Sequence, residues 1–201
     1  MVTHVHRHDY NDNTNPLLGQ KGRMHDVLAI YGWPRRADSC TVSPVRLKQE
    51  LMNVLSVAGD RVAILLGGAD TNQQYTVMEA LLPPGGGPPR HLHHREDETF
   101  LVLDGEVTFY VGDTVTVLKR GGFIFAPRGI PHHFRNTGVT EATLLETAFP
   151  AGVERFFAAA GKPLPDRAAQ PVAFGHEDIA HMIAIAPSFG IDILIQGPLQ
   201  D

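Results

Sequence analysis

Between residues 52 and 149 the chain runs through short apolar and alternating stretches, each closed by turn-forming residues. "MNVLSVAGDRVAILLGG" predicts a strand, a Gly-Asp turn and a second, β-branched strand. "QYTVMEALL" predicts a third strand, which ends at the "PPGGGPP" loop. "ETFLVL" and "EVTFYV" flank Asp104-Gly105, a two-residue hairpin signal, and Gly112-Asp113 leads into "TVTVLK". "FIFAP", "HHFRN" and "TEATLLETAF" follow, separated by Pro, Gly or Thr-Gly punctuation. No helical period runs through this stretch. Closely spaced short strands predict an all-β antiparallel sandwich or barrel.

The texture differs on both sides of it. Residues 1–51 form an N-terminal extension with little regular pattern, and the polar, turn-rich first 25 residues are expected to be mobile. His4, His6 and His8 alternate there as an exposed terminal tract. The extension is either an added segment over the β domain or an overlong translation start. After Pro150, "GVERFFAAAGK" predicts a short helix ending at Gly161. "HEDIAHMIAIAPSFG" predicts a second, with acids in its first turn and Pro187 past its end. His176 and His181 lie on that helix without a further ligand at suitable spacing, as surface or packing residues. The expected division is an extension over 1–51, a β domain over 52–149 and a C-terminal helical segment over 150–201.

Composition narrows the function classes. With 43% hydrophobic and 19% charged residues among 201, the chain has the balance of an ordinary globular protein. A formal charge of −5 gives no basic footprint for nucleic acid or an anionic membrane. The single cysteine, Cys40, cannot form an intramolecular disulfide. No apolar run nears the ~20 residues of a membrane span and no signal pattern opens the chain, so a cytoplasmic location is expected.

The chemistry is concentrated in two segments. In "GGGPPRHLHHREDETFLVLDG", residues 85–105, His91 and His93 face the same way if extended, since successive strand residues alternate sides. One unbroken strand would aim Glu98 away from them. If "HRED" is a turn between two strands, Glu98, Phe100 and Val102 share a face, and three inward ligands become feasible. In "GGFIFAPRGIPHHFRN", residues 121–136, His132, Phe134 and Asn136 share one face and His133 takes the other.

The first segment reads G-x5-H-x-H-x4-E-x6-G through Gly85, His91, His93, Glu98 and Gly105. The second reads G-x5-P-x-G-x2-H-x3-N through Gly121, Pro127, Gly129, His132 and Asn136. Together they resemble the two signature motifs of the cupin family, with the short separation of single-domain microbial cupins. The resemblance covers roughly residues 52–149. It implies a double-stranded β-helix (jelly-roll) barrel with His91, His93, Glu98 and His132 as metal ligands. His94 and His133 fall outside the ligand slots, on outer faces or at the mouth. Asn136 is expected to be a hydrogen-bonding structural residue.

A metal also answers a physical difficulty. Glu98 as part of a bare polar core would carry a desolvation penalty of several kcal/mol that neutral imidazoles do not repay. A divalent cation with three neutral nitrogens and one carboxylate leaves a centre of net charge +1. The donor set suits Fe, Mn, Ni, Co, Cu or Zn, one per chain, without selecting among them. A closed structural zinc site usually includes cysteines, and none is near.

The single-domain layout looks most like the bacterial quercetinase-like cupins, and "FPAGVERFFAAAG" and "FGIDILIQGP" resemble their helical tail more loosely. This resemblance implies a dioxygenase acting on a small aromatic, flavonol-like or enolisable substrate with O2. Glu98 would serve both as ligand and as catalytic base, and Phe100, Val102 and Phe134 would wall an apolar substrate pocket or simply fill the core. The alternatives are a non-redox metal isomerase, lyase or hydrolase, and a non-catalytic small-molecule-binding cupin. A non-redox enzyme needs a separate acid/base group, for which His94, Glu96, Asp97 and Arg90 are candidates if their loop turns inward. The resemblance also implies a homodimer, because edge strands are commonly covered by a partner.

Overall fold

The structure, a computed structural model, describes residues 53–194. The expected extension over 1–51 and its histidine tract lie outside the described residues. The strands are β1 (Asn53–Val57), β2 (Asp60–Leu66), β3 (Thr76–Leu82), β4 (His91–His93), β5 (Asp97–Asp104) and β6 (Glu106–Val111). They continue with β7 (Thr114–Lys119), β8 (Phe123–Ala126), β9 (His132–Asn136) and β10 (Ala142–Phe149). One helical turn, α1 (Gly68–Thr71), follows β2. The C-terminal part adds α2 (Val153–Ala160), β11 (Lys162–Leu164), α3 (His176–Ile185), a 3-10 turn (Ala186–Phe189) and β12 (Ile191–Ile193).

The architecture is all-β, as the strand pattern predicts. A seven-stranded sheet runs β11-β1-β2-β3-β10-β5-β8, and a five-stranded sheet runs β12-β4-β9-β6-β7. The recorded strand pairings are all antiparallel. Alternation decides what each strand buries: Met78, Ala80 and Leu82 from β3, Phe100 and Val102 from β5, and Leu144 and Ala148 from β10. Val107 and Phe109 of β6 and Phe134 of β9 meet Ala80, Leu82, Phe100, Val102 and Leu144 in one core cluster, so the two sheets share an interior. Each large side chain removed from water there contributes roughly 1.5–3 kcal/mol.

Two turns differ from the sequence expectation. The β1–β2 turn is Ala58-Gly59, both at positive φ (49° and 97°), and Asp60 already pairs with Val57. Asp104-Gly105 is not a hairpin. β5 pairs with β10 and β8, whereas β6 pairs with β7 and β9, so the chain crosses between sheets there. Gly105 makes the crossing at φ +85°, where a Cβ would stand 2.7 Å from that of Ala142. The hairpin comes one turn later, where Gly112-Asp113 joins β6 to β7 with Val111 opposite Thr114.

The C-terminal segment is helical as expected and also contributes strands: β11 extends the larger sheet beside β1, and β12 pairs with β4. Val153, Phe156 and Ala160, on one face of α2, pack with Met182 of α3 against Leu55, Val57, Val62 and Met78. No helix among the described residues is long and apolar enough to cross a membrane.

Candidate metal centre

Three strands carry the candidate ligands. β4 is only three residues long, and its alternation sends His91 and His93 to one side; it pairs with β9 by setting His91 opposite His132. The turn His94–Glu96 then carries the chain to the other sheet, where Glu98 is the first inward residue of β5, paired with Ala126 and Ala148. The break that a single strand lacked is therefore present. One donor atom from each of His91, His93, Glu98 and His132 lies within 4.8 Å of the others. Two donors on one ion, at metal bonds of about 2.1 Å, stand about 3–4 Å apart, a span this cluster can meet.

The rings are oriented by their far nitrogens. Nδ1 of His91 donates to the Pro89 carbonyl at 2.9 Å, and Nδ1 of His132 donates to the Ile130 carbonyl at 3.0 Å. A carbonyl can only accept, so these contacts fix the Nδ1–H tautomer and leave Nε2 available. Nδ1 of His93 lies 3.3 Å from the buried carboxylate of Glu96, the arrangement that commonly backs a ligating histidine. All three Nε2 atoms are thereby freed towards Glu98, whose Oε2 is 2.8 Å from His132 Nε2 and 3.4 Å from His93 Nε2.

Electrostatics keep Glu98 ionised and His91 neutral. Burial would raise the Glu98 carboxyl, but His93, His132 and His91 together override it and hold it well below the usual carboxylate range. His91 is pushed down to about 3, first by burial and then by His132 and His93, so it is neutral. For His93, burial pulls down while Glu98 and Glu96 pull up, and the two carboxylates prevail. A metal would displace the proton favoured on His93, and three imidazole nitrogens with one carboxylate, grouped within reach of one ion, fit a divalent transition metal. His91 is the least enclosed of the four.

An apolar cavity adjoins the cluster. His91, His93 and Glu98 lie in its wall, with Phe100 and Phe134 from the two sheets and Phe156 and Met182 from the C-terminal helices. Of the three residues expected to wall a pocket, Phe100 and Phe134 do so. Val102 does not: one alternation further along β5, it packs into the core between the sheets, 1% exposed. Gly87 shapes the approach at φ +131°, where any Cβ would collide with the Phe134 carbonyl oxygen.

The remaining polar residues separate cleanly. His94 is exposed and pairs with Asp192 at 2.8 Å, and His133 stacks on Tyr110 with ring centroids 4.3 Å apart. Asp97 faces outward to Arg128 at 2.6 Å, and Arg90 lies beside Tyr110 and His133 at a separate depression. His176 and His181 are exposed on α3. Asn136 is buried, donates to the Leu82 and Thr140 carbonyls and accepts from Gly138, a structural tie. Two acids at the cavity escape sequence reasoning: Asp60, in what reads as a turn, and Glu146 on β10. The signal for Glu146 is its place in the inward series Ala142, Leu144, Glu146, Ala148.

Residues 78–148 match the family described as "Cupin domain", which supports the cupin superfamily for this chain. A 79-residue stretch, 39% of the chain, is 27% identical to mannose-1-phosphate guanylyltransferase 2 of Escherichia coli O157:H7, of which it covers 16%. A 70-residue match to germin-like protein 3-5 of Oryza sativa subsp. japonica is 36% identical and covers 31% of each chain. The chain thus spans less than a third of the length of these curated relatives. Among solved structures, a predicted oxalate decarboxylase from Thermotoga maritima aligns over 52% of this chain and 96% of its own, at 27% identity and a TM-score of 0.45.

Proposed function

We propose that this protein is a metal-dependent cupin dioxygenase acting on a small aromatic, flavonol-like or enolisable substrate at a three-histidine, one-glutamate centre. The observation that carries the reading is the convergence of three Nε2 atoms and one carboxylate at the wall of an apolar cavity. A transition metal bound there supplies Lewis acidity, positions for oxygen ligands beyond the four protein donors, and a redox partner for O2. The chain's own residues do the rest. His91, His93 and His132 would hold the ion, each ring fixed by its far nitrogen. Glu98 would ligate through one oxygen and accept a substrate hydroxyl proton through the other. Phe100, Phe134, Phe156 and Met182 would bind the apolar body of the substrate and exclude water.

A non-redox isomerase or lyase is the second reading. It is favoured by one observation, a carboxyl at the cavity, Glu146, that belongs to no ligand set. The test is oxygen uptake by metal-loaded, tag-free protein against a flavonol and catechol panel, repeated under nitrogen. Uptake with at least one compound, lost in Glu98→Ala and His132→Ala, is expected. Turnover that persists under nitrogen replaces the dioxygenase with the second reading, and saturable binding without turnover leaves a ligand-binding protein.

The proposal extends to a homodimer. β8 and β7 end their sheets, and Phe123, Phe125, Val115 and Val117 on them are exposed, as edges awaiting cover would be. Sedimentation velocity giving a monomer at micromolar concentration would remove it.

A further inference from the structure

Glu146 stands in the middle of β10, between Phe100 on β5 and Met78 on β3, and faces the interior. It is 6% exposed, and its inward neighbours along the strand are Leu144 and Ala148. An apolar residue would satisfy that position better, because a buried carboxyl without a partner is costly. Among the described residues no hydrogen bond or ion pair involves its side chain. Its charged surroundings are Glu98 and Asp60, both acids. What it faces is the cavity that His91, His93 and Glu98 also line. Asp60 lines the same cavity, and one of its oxygens is likewise buried without a partner.

A partnerless polar group in the wall of a cavity is satisfied by what enters the cavity. Burial, the largest cause and one that a metal on Glu98 does not remove, pushes the Glu146 carboxyl well above the usual range, so it presents a neutral O–H donor and a carbonyl acceptor. That pair matches a neutral oxygen function, a ketone or a hydroxyl.

We propose that Glu146 binds the substrate directly, hydrogen-bonding a carbonyl or hydroxyl oxygen remote from the end held at the His91, His93, Glu98 and His132 cluster. The cavity then selects small, mainly apolar molecules that carry ligating oxygens at one end and a neutral oxygen function further along. This rests on the cluster acting as the substrate-binding metal centre, and it adds the group that reads the rest of the molecule.

Matched probes test it by isothermal titration of the full, metal-loaded chain: catechol, 3,4-dihydroxyacetophenone and dopamine. They share a chelating head and differ beyond it in having nothing, a ketone or an ammonium. The ketone is expected to bind about tenfold more tightly than catechol, the gain of one buried hydrogen bond. Glu146→Leu should abolish that ratio while metal content and the Kd for catechol stay unchanged, and Glu146→Gln should keep part of it. Thermal unfolding of both variants confirms that they fold. An equal ketone-to-catechol ratio in wild type and Glu146→Leu overturns the assignment, as does a preference for dopamine. Catechol that fails to bind metal-loaded wild type overturns the metal-centre reading as well, so the two failures are told apart.

Discussion

His132 and Glu98 belong to different sheets, and the 2.8 Å between Nε2 and Oε2 ties the sheets together at the site. Nδ1 of His132 already donates to the Ile130 carbonyl. A proton between Nε2 and the carboxylate would be shared by the two. A divalent cation would take the place of that shared proton and bind both lone pairs at once. The same geometry thus serves a metal-free protein and a metal-bound one, with different charges at the centre.

Metal should bind at about one ion per chain and stabilise the fold. Free metal at 100 times its Kd adds about 2.7 kcal/mol, or roughly 5–10 °C in Tm for a domain of this size. Elemental analysis and thermal scans, with and without chelator, measure both. Glu98→Ala and His132→Ala should lose the ion and the metal-dependent part of the Tm. A Tm indifferent to metal would mean that the cluster is held by protons alone.

Glu96 should matter to metal affinity without being a ligand. Its carboxylate backs Nδ1 of His93, while Asp97 next to it points outward to Arg128. Glu96→Ala is expected to weaken metal binding by about 10–100-fold, whereas Asp97→Ala leaves it unchanged. Competition against a chromogenic chelator gives both constants, and equal behaviour of the two variants would remove Glu96 from the site.

The contrast between Glu96 and Asp97 also marks where the sequence stops being informative. Strand alternation is local and strong, so the inward series Glu98, Phe100, Val102 and His132, Phe134, Asn136 can be written down in advance. The four candidate ligands are what the resemblance to the two cupin motifs implies, and those faces are compatible with it. Pairing is not local. Asp104-Gly105 has hairpin chemistry, yet the strands it joins separate into two sheets, because their partners lie elsewhere in the chain. β11 and β12, three residues each, are too short to carry a period and exist through β1 and β4. Glu146 reads as one polar residue in a strand, and only the cavity beside it gives the residue a role.

Phe156 tests whether the C-terminal segment is part of the folding unit. It is 7% exposed, and from α2 it packs against the 3-10 turn and the β1–β2 side of the larger sheet. Phe156→Ala should cost roughly 3–5 kcal/mol, the range for a buried phenylalanine. Val139→Ala, at a loop residue 93% exposed, should stay within about 0.5 kcal/mol. Urea unfolding monitored by circular dichroism compares them. Similar midpoints would make the segment an appendage.

Between about pH 4 and pH 7 the Asp60 carboxyl should make stability fall as pH rises, while His91, lowered from 6.5 to about 3, works the other way below its ordinary value. Burial pushes the Asp60 carboxyl up from 3.8 to about 7, against the opposing pull of the Gly87 N–H and the Arg135 charge. Between those values the unfolded chain has released the proton that the folded chain still holds. The Asp60 contribution is therefore full below about pH 4, declines up to about pH 7, and is level above it. From pH 5 to pH 8 the part lost by Asp60 is on the order of 3 kcal/mol, two units of the shift at about 1.4 kcal/mol each. Glu146, raised by burial and by the Glu98 and Asp60 charges, works in the same direction. Asp60→Asn keeps the shape and an oxygen for Gly87 but cannot ionise. Urea unfolding of the metal-free protein at pH 5, 6, 7 and 8 should show the variant gaining on wild type as pH rises to about 7 and more stable than it at pH 8. Parallel profiles would mean that Asp60 ionises normally in the folded state, with water reaching the oxygen that now lacks a partner.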